Sequence, residues 1–174
     1  MHPNIYTELK NYSKYIYKSG LVVRDFGNVS VRRKDHFIIK ASGRPMESIS
    51  ENDFVEVKFN GDVSKSSLRP SSDTPTHLEL YNEYEEIGAI VHTHSPYATS
   101  WAQSGKPIPC FGTTHADYWC IDVPITRRLL RKEIESSYEV ETGKVIIEKL
   151  KQIKLNPLEC PGIIVLNHGP FAWG

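Results

Sequence analysis

Residues 87–95 read Ile-Gly-Ala-Ile-Val-His-Thr-His-Ser, an apolar run that ends in two histidines with one residue between them. A run this short and apolar reads as a buried strand, and its two histidines constrain how that strand can lie. Side chains on a strand alternate faces, so His92 and His94 project the same way, about 7 Å apart along it. Such a pair is either polar residues where a buried strand meets solvent or two ligands of one cation, each at about 2.0–2.1 Å if the ion is zinc. His168 bears on the choice. It follows a second apolar run, Gly162-Ile-Ile-Val-Leu166, in a chain with seven histidines. Two strands that each end in histidine point to one open three-histidine site, the arrangement of a catalytic rather than a structural zinc.

The bulk of the sequence narrows the classes available. At 174 residues the chain reads as one domain, 1–174, with enough length for a sizeable core. Lys plus Arg and Asp plus Glu are 21 each, so no general basic field favours nucleic acid or an anionic membrane. Arg127-Arg128 and Arg131-Lys132 read as a solvated helix face. No run approaches the roughly 18 apolar residues of a membrane span, and the N-terminus lacks a signal-peptide pattern. The three cysteines, Cys110, Cys120 and Cys160, are odd in number and form no C-x-x-C pair. They read as small core residues in a reducing cytoplasm.

Along the chain, Ile5, Leu9, Tyr12 and Ile16 recur at helical spacing over 5–18, ending before Gly20. Residues 28–32 and 36–40 are β-prone. The alternating run 54–59 precedes Asn60-Gly61, a hairpin-turn signal. Thr74-Pro75 opens a helix to about Tyr84, and 96–103 begins another. Short apolar pieces at 108–110 and 121–125 are further strand candidates. Helices are expected over 127–135 and 143–153, and Pro161-Gly162 leads into the last strand. Short strands adjacent in sequence, mixed with helices, imply an α/β sandwich with a largely antiparallel sheet.

Three segments, Gly27-Asn28, Ser42-Gly43 and Ser71-Ser72, pair small residues with backbone N–H or hydroxyl donors. Each reads either as a turn or as part of a phosphate cradle. The third precedes a helix start, where free N–H groups and the helix dipole favour an anion. Lys40 either is an exposed strand lysine or adds a cation to such a cradle. Asp73 is an N-cap carboxylate or a carboxylate near the metal, as ligand or proton acceptor. In Gly112-Thr-Thr-His-Ala-Asp-Tyr118, expected as a loop, Asp117 could serve as general acid/base if it faces the bound substrate.

Together, Arg69-Pro-Ser-Ser-Asp-Thr-Pro-Thr-His77, Val91-His-Thr-His-Ser95, Gly112-Thr-Thr-His-Ala-Asp-Tyr118 and Asn167-His-Gly-Pro-Phe-Ala-Trp-Gly174 resemble the class II aldolase/adducin family. Within it they are most similar to the 4-epimerases of L-ribulose 5-phosphate. The resemblance runs from Gly27 to the last residue. It implies an α/β/α sandwich that assembles as a homotetramer, with active sites at subunit interfaces and one zinc per subunit. His92, His94 and His168 match the zinc ligands, with Asp73 a further candidate. Gly27, Asn28, Ser42, Gly43, Ser71 and Ser72 match the phosphate-binding segments, and Lys40 matches a lysine of the same pocket. Asp117 matches the epimerases' acid/base aspartate. The aldolases carry glutamate where this chain has Asp73, so Asp73 with Asp117 favours a phosphorylated ketopentose as substrate and epimerisation as the reaction. A class II sugar-phosphate aldolase and a non-catalytic adducin-like interaction module are the alternatives.

Two departures accompany the resemblance. The epimerases' second proton-transfer group is a tyrosine in a C-terminal segment, and none of the nine tyrosines here occupies a matching position. The sequence is therefore expected to be a C-terminally incomplete domain. The residues flanking Ser42-Gly43 also differ, and Arg44 either contacts phosphate or is exposed.

Overall fold

The computed structural model describes residues 4–24, 26–119 and 121–174. The elements are α1 (Ile5–Lys18), β1 (Asn28–Arg32), β2 (His36–Lys40), β3 (Phe54–Lys58), α2 (Thr74–Glu83), β4 (Ala89–His92), α3 (Pro96–Ser104), α4 (Thr113–Ala116), α5 (Arg131–Ile153), β5 (Gly162–Ile164) and β6 (Pro170–Trp173). Six strands form one sheet in the order β3-β2-β1-β4-β6-β5, and every neighbouring pair is antiparallel.

The period-two alternation of the strands sorts side chains between two helical layers. Phe37, Ile39, Val55, Val57, Ile90 and Phe171 face Leu80 and Tyr81 of α2 and Val145, Ile146 and Leu150 of α5. Val29, Ile38 and Phe54 face Leu9 of α1 on the other side. The result is the expected α/β/α sandwich. Helices α2 and α5 cross at close range. A Cβ on Gly143 would stand 2.6 Å from that of Glu79, and Thr76 Oγ1 donates to the Glu139 carbonyl at 2.6 Å.

Several local expectations need correction. A further strand, β6, follows β5, so Gly162 does not open the last one, and His168 lies in the turn between the two rather than at a strand end. The pieces at 108–110 and 121–125 form only isolated bridges, Ile108 to Val123 and Ile125 to Ile164. Pro107, Pro109 and Pro124 lack the N–H groups a ladder needs. Residues 127–130 are not helical. The helix starts at Arg131, where Glu133 accepts the Leu130 N–H at 2.6 Å. It continues to Ile153 through a kink at Ser137 (φ −146°, ψ 75°), where a serine pair weakens the helix. The expected loop around Asp117 contains the four-residue helix α4. Cys160 is a core residue, but Cys110 is partly exposed, and Cys120 lies outside the described residues.

Candidate active site

The sheet register places His92 of β4 between Asn28 of β1 and Phe171 of β6. The Phe171 ring stacks on His92 at 4.2 Å. His94 follows in the short connection to α3. His168 is carried by the β5–β6 turn, which closes with Val165 N–H donating to the Gly169 carbonyl at 2.9 Å and a left-handed Asn167 (φ 65°).

The three rings converge through their Nε2 atoms. The separations are 3.1 Å for His92–His94, 3.3 Å for His94–His168 and 3.1 Å for His168–His92. Among the described residues this is the cluster able to hold a metal. A tetrahedral ion with bonds of about 2.0–2.1 Å would space its ligand nitrogens about 3.3 Å apart, so the triangle fits. Protonation supports the same reading. His92 Nδ1 donates to the Pro170 carbonyl at 2.9 Å, which places the neutral ring's proton there and leaves Nε2 with a bare lone pair. Burial, reinforced by His168, pushes the His92 pKa down to about 3, and burial with His94 nearby lowers that of His168. Neutral imidazoles are the form that binds a metal.

Around this triangle lies a cavity of about 290 Å³. All seven residues singled out for phosphate, Gly27, Asn28, Lys40, Ser42, Gly43, Ser71 and Ser72, line it together with Asp73 and the three histidines. Gly27 adopts φ +92°, and a Cβ there would lie 2.9 Å from the His92 carbonyl oxygen, so only glycine fits this approach. The other two segments are laced together, with Ser42 N–H donating to Arg69 O and Ser71 N–H to Lys40 O. The Ser71 N–H is thus engaged within the chain. Lys40 is not an exposed strand lysine: it is 2% exposed.

The family model described as Class II Aldolase and Adducin N-terminal domain matches residues 7–174. The chain belongs to this family. It is 51% identical over 157 residues to the L-ribulose-5-phosphate 4-epimerase UlaF of Salmonella paratyphi C (strain RKS4594), covering 89% of this chain and 68% of the relative. An L-fuculose 1-phosphate aldolase superposes with a TM-score of 0.79 at 26% identity, covering 100% of this chain and 76% of the other. The L-fuculose-1-phosphate aldolase of Thermus thermophilus shares the fold, with a TM-score of 0.76 at 22% identity and coverages of 97% and 78%.

In this class II aldolase-type domain, Asp73 stands at the N-cap of α2 but makes no capping bond. Its carboxylate accepts from Asn28 Nδ2 at 2.6 Å and lies 3.8 Å from His92 Nε2. It sits beside the triangle but outside the cluster of converging ligand atoms. Asp117 ends α4, is exposed, and does not line the cavity. Arg44 lies outside the cavity too, paired with Asp53 at 3.2 Å. Phe26, Tyr138 and Glu139, which sequence reasoning passed over, complete the wall. The serine pair before Tyr138 was the one local hint that α5 bends there. No helix among the described residues is long and apolar enough to cross a membrane.

Proposed function

We propose that this protein is a zinc-dependent L-ribulose-5-phosphate 4-epimerase of pentose catabolism, working in the cytoplasm as a homotetramer. The observation that carries the reading is the Nε2 triangle of His92, His94 and His168 set into the cavity that Lys40 and the small-residue segments also line. A divalent cation held by three neutral histidines supplies Lewis acidity for polarising a ketone and its neighbouring hydroxyl.

The chain's own residues account for the rest. Gly27, Asn28, Lys40, Ser42, Gly43, Ser71 and Ser72 grip the 5-phosphate. Asp117 exchanges a proton with the C4 hydroxyl as the C3–C4 bond breaks to the enediolate of dihydroxyacetone and glycolaldehyde phosphate. The aldehyde turns while its phosphate stays held, and re-addition on the other face gives D-xylulose 5-phosphate. Asp73, held by Asn28 beside His92, orients the reacting hydroxyls. Because Asp117 is exposed and away from its own chain's cavity, it acts on the cavity of a neighbouring subunit.

A sugar-phosphate aldolase is the second reading, favoured by the 0.79 TM-score to an aldolase and opposed by aspartate at position 73. An adducin-like scaffold would have no need of three converging Nε2 atoms. Incubating the zinc-loaded protein with L-ribulose 5-phosphate and resolving the products tests all three. D-xylulose 5-phosphate that disappears with a chelator and returns with zinc is the expected result. Accumulating free aldehyde supports the aldolase, and neither product supports the scaffold.

A further inference from the structure

We infer that Tyr138 is a positioning residue for the third histidine of the metal site, its phenol fixing the His168 ring so that Nε2 faces those of His92 and His94. The inference rests on the metal-site reading above. Tyr138 Oη lies 2.8 Å from His168 Nδ1. For Nε2 to offer a lone pair, the ring's one proton must sit on Nδ1, so His168 donates and the phenol oxygen accepts. The arrangement parallels that of His92, whose Nδ1 donates to a carbonyl.

His168 needs the support more. His92 is held in a central strand under the Phe171 ring, whereas His168 rides on a turn, its ring 6.5 Å from that of Phe171. Tyr138 itself is firmly mounted. It begins the part of α5 beyond the Ser137 kink. Its carbonyl accepts from Thr142 Oγ1 at 2.8 Å, and the next residue's carbonyl accepts from Thr76 of α2. The phenol therefore ties His168 to the α2–α5 crossing, not to another loop. Tyr138 also borders a second hollow of about 390 Å³ beside Leu129, Ile134 and Leu166. Without the hydroxyl, His168 Nδ1 loses its fixed acceptor on that side.

The test is Tyr138→Phe, read as the zinc dissociation constant from chelator competition and as the visible spectrum of the cobalt-substituted protein. Zinc binding should weaken about 10–100-fold and the cobalt spectrum should change. Binding within about twofold of the parent with an unchanged spectrum overturns the inference. In a His168→Ala background, Tyr138→Phe should cost no further affinity, because the phenol acts through His168. A further loss there overturns it as well, since a general packing defect would behave that way. Both measurements are made without sugar, so a failed epimerase assay leaves their outcome intact.

Discussion

His92 and Asp117 stand in opposite surroundings. His92 is 1% exposed, fixed by strands on both sides and by the Pro170 carbonyl. Asp117 ends a four-residue helix at the surface. Under the proposed function, the contrast follows from what each group would have to do. Ligands that share one ion must hold their separations to a fraction of an ångström, which a sheet does better than a loop. A proton-transfer group meets a substrate that comes and goes, and such groups are commonly carried on loops.

The sharpest way to break this division is to remove the buried half. The His92→Ala/His94→Ala double variant should lose its zinc from about one per chain to a trace and its turnover by on the order of a thousandfold or more. Metal analysis of the purified protein checks the first, and stoichiometric zinc would sink the site. Asp117→Asn addresses the exposed half. Turnover should fall about 10²–10⁴-fold, with zinc content and thermal midpoint of the chain little changed, because the side chain is exposed and lies away from its own chain's three histidines. Near-normal turnover would remove Asp117 from the mechanism.

The smallest effect concerns acid sensitivity. His77 is fully buried behind the cavity, bonded to Ser30 Oγ at 2.7 Å. Burial holds its pKa down to about 3, against the opposing pull of Asp73. Between about pH 6.5 and 3 the unfolded chain binds a proton there that the folded one refuses. Its contribution is therefore intact above about pH 6.5 and lost as pH falls, at up to about 1.4 kcal/mol per pH unit. Denaturant unfolding across that range should show a shallower slope in His77→Gln. An identical slope would mean that His77 is not the group responsible.

Legibility in the sequence tracked how local the cause was. Strands at Asn28–Arg32 and His36–Lys40 announced themselves by their β-prone residues and the helix over 5–18 by its spacing, and the structure keeps those bounds. His92, His94 and His168 were legible because short runs led to each of them. Strand β6 was hidden because Pro170 opens it and its four residues are too few to show a clear alternation. Tyr138 was hidden for another reason. Its place beside His168 is set by the α2–α5 crossing, which leaves no local pattern, and by the Ser137 kink, which leaves only the Ser136-Ser137 pair. The buried state of Lys40 was equally invisible, since it depends on how the segment after β2 folds back against 69–72.

The two acceptors behind the histidines differ in how substitution can reach them. Pro170 offers a main-chain oxygen, so no change of side chain at that position deletes the acceptor and only a shift of β6 could withdraw it. Tyr138 offers an atom that a single codon change removes. Related proteins with the same three histidines could thus differ in metal retention through position 138 alone, with the ligand set itself untouched.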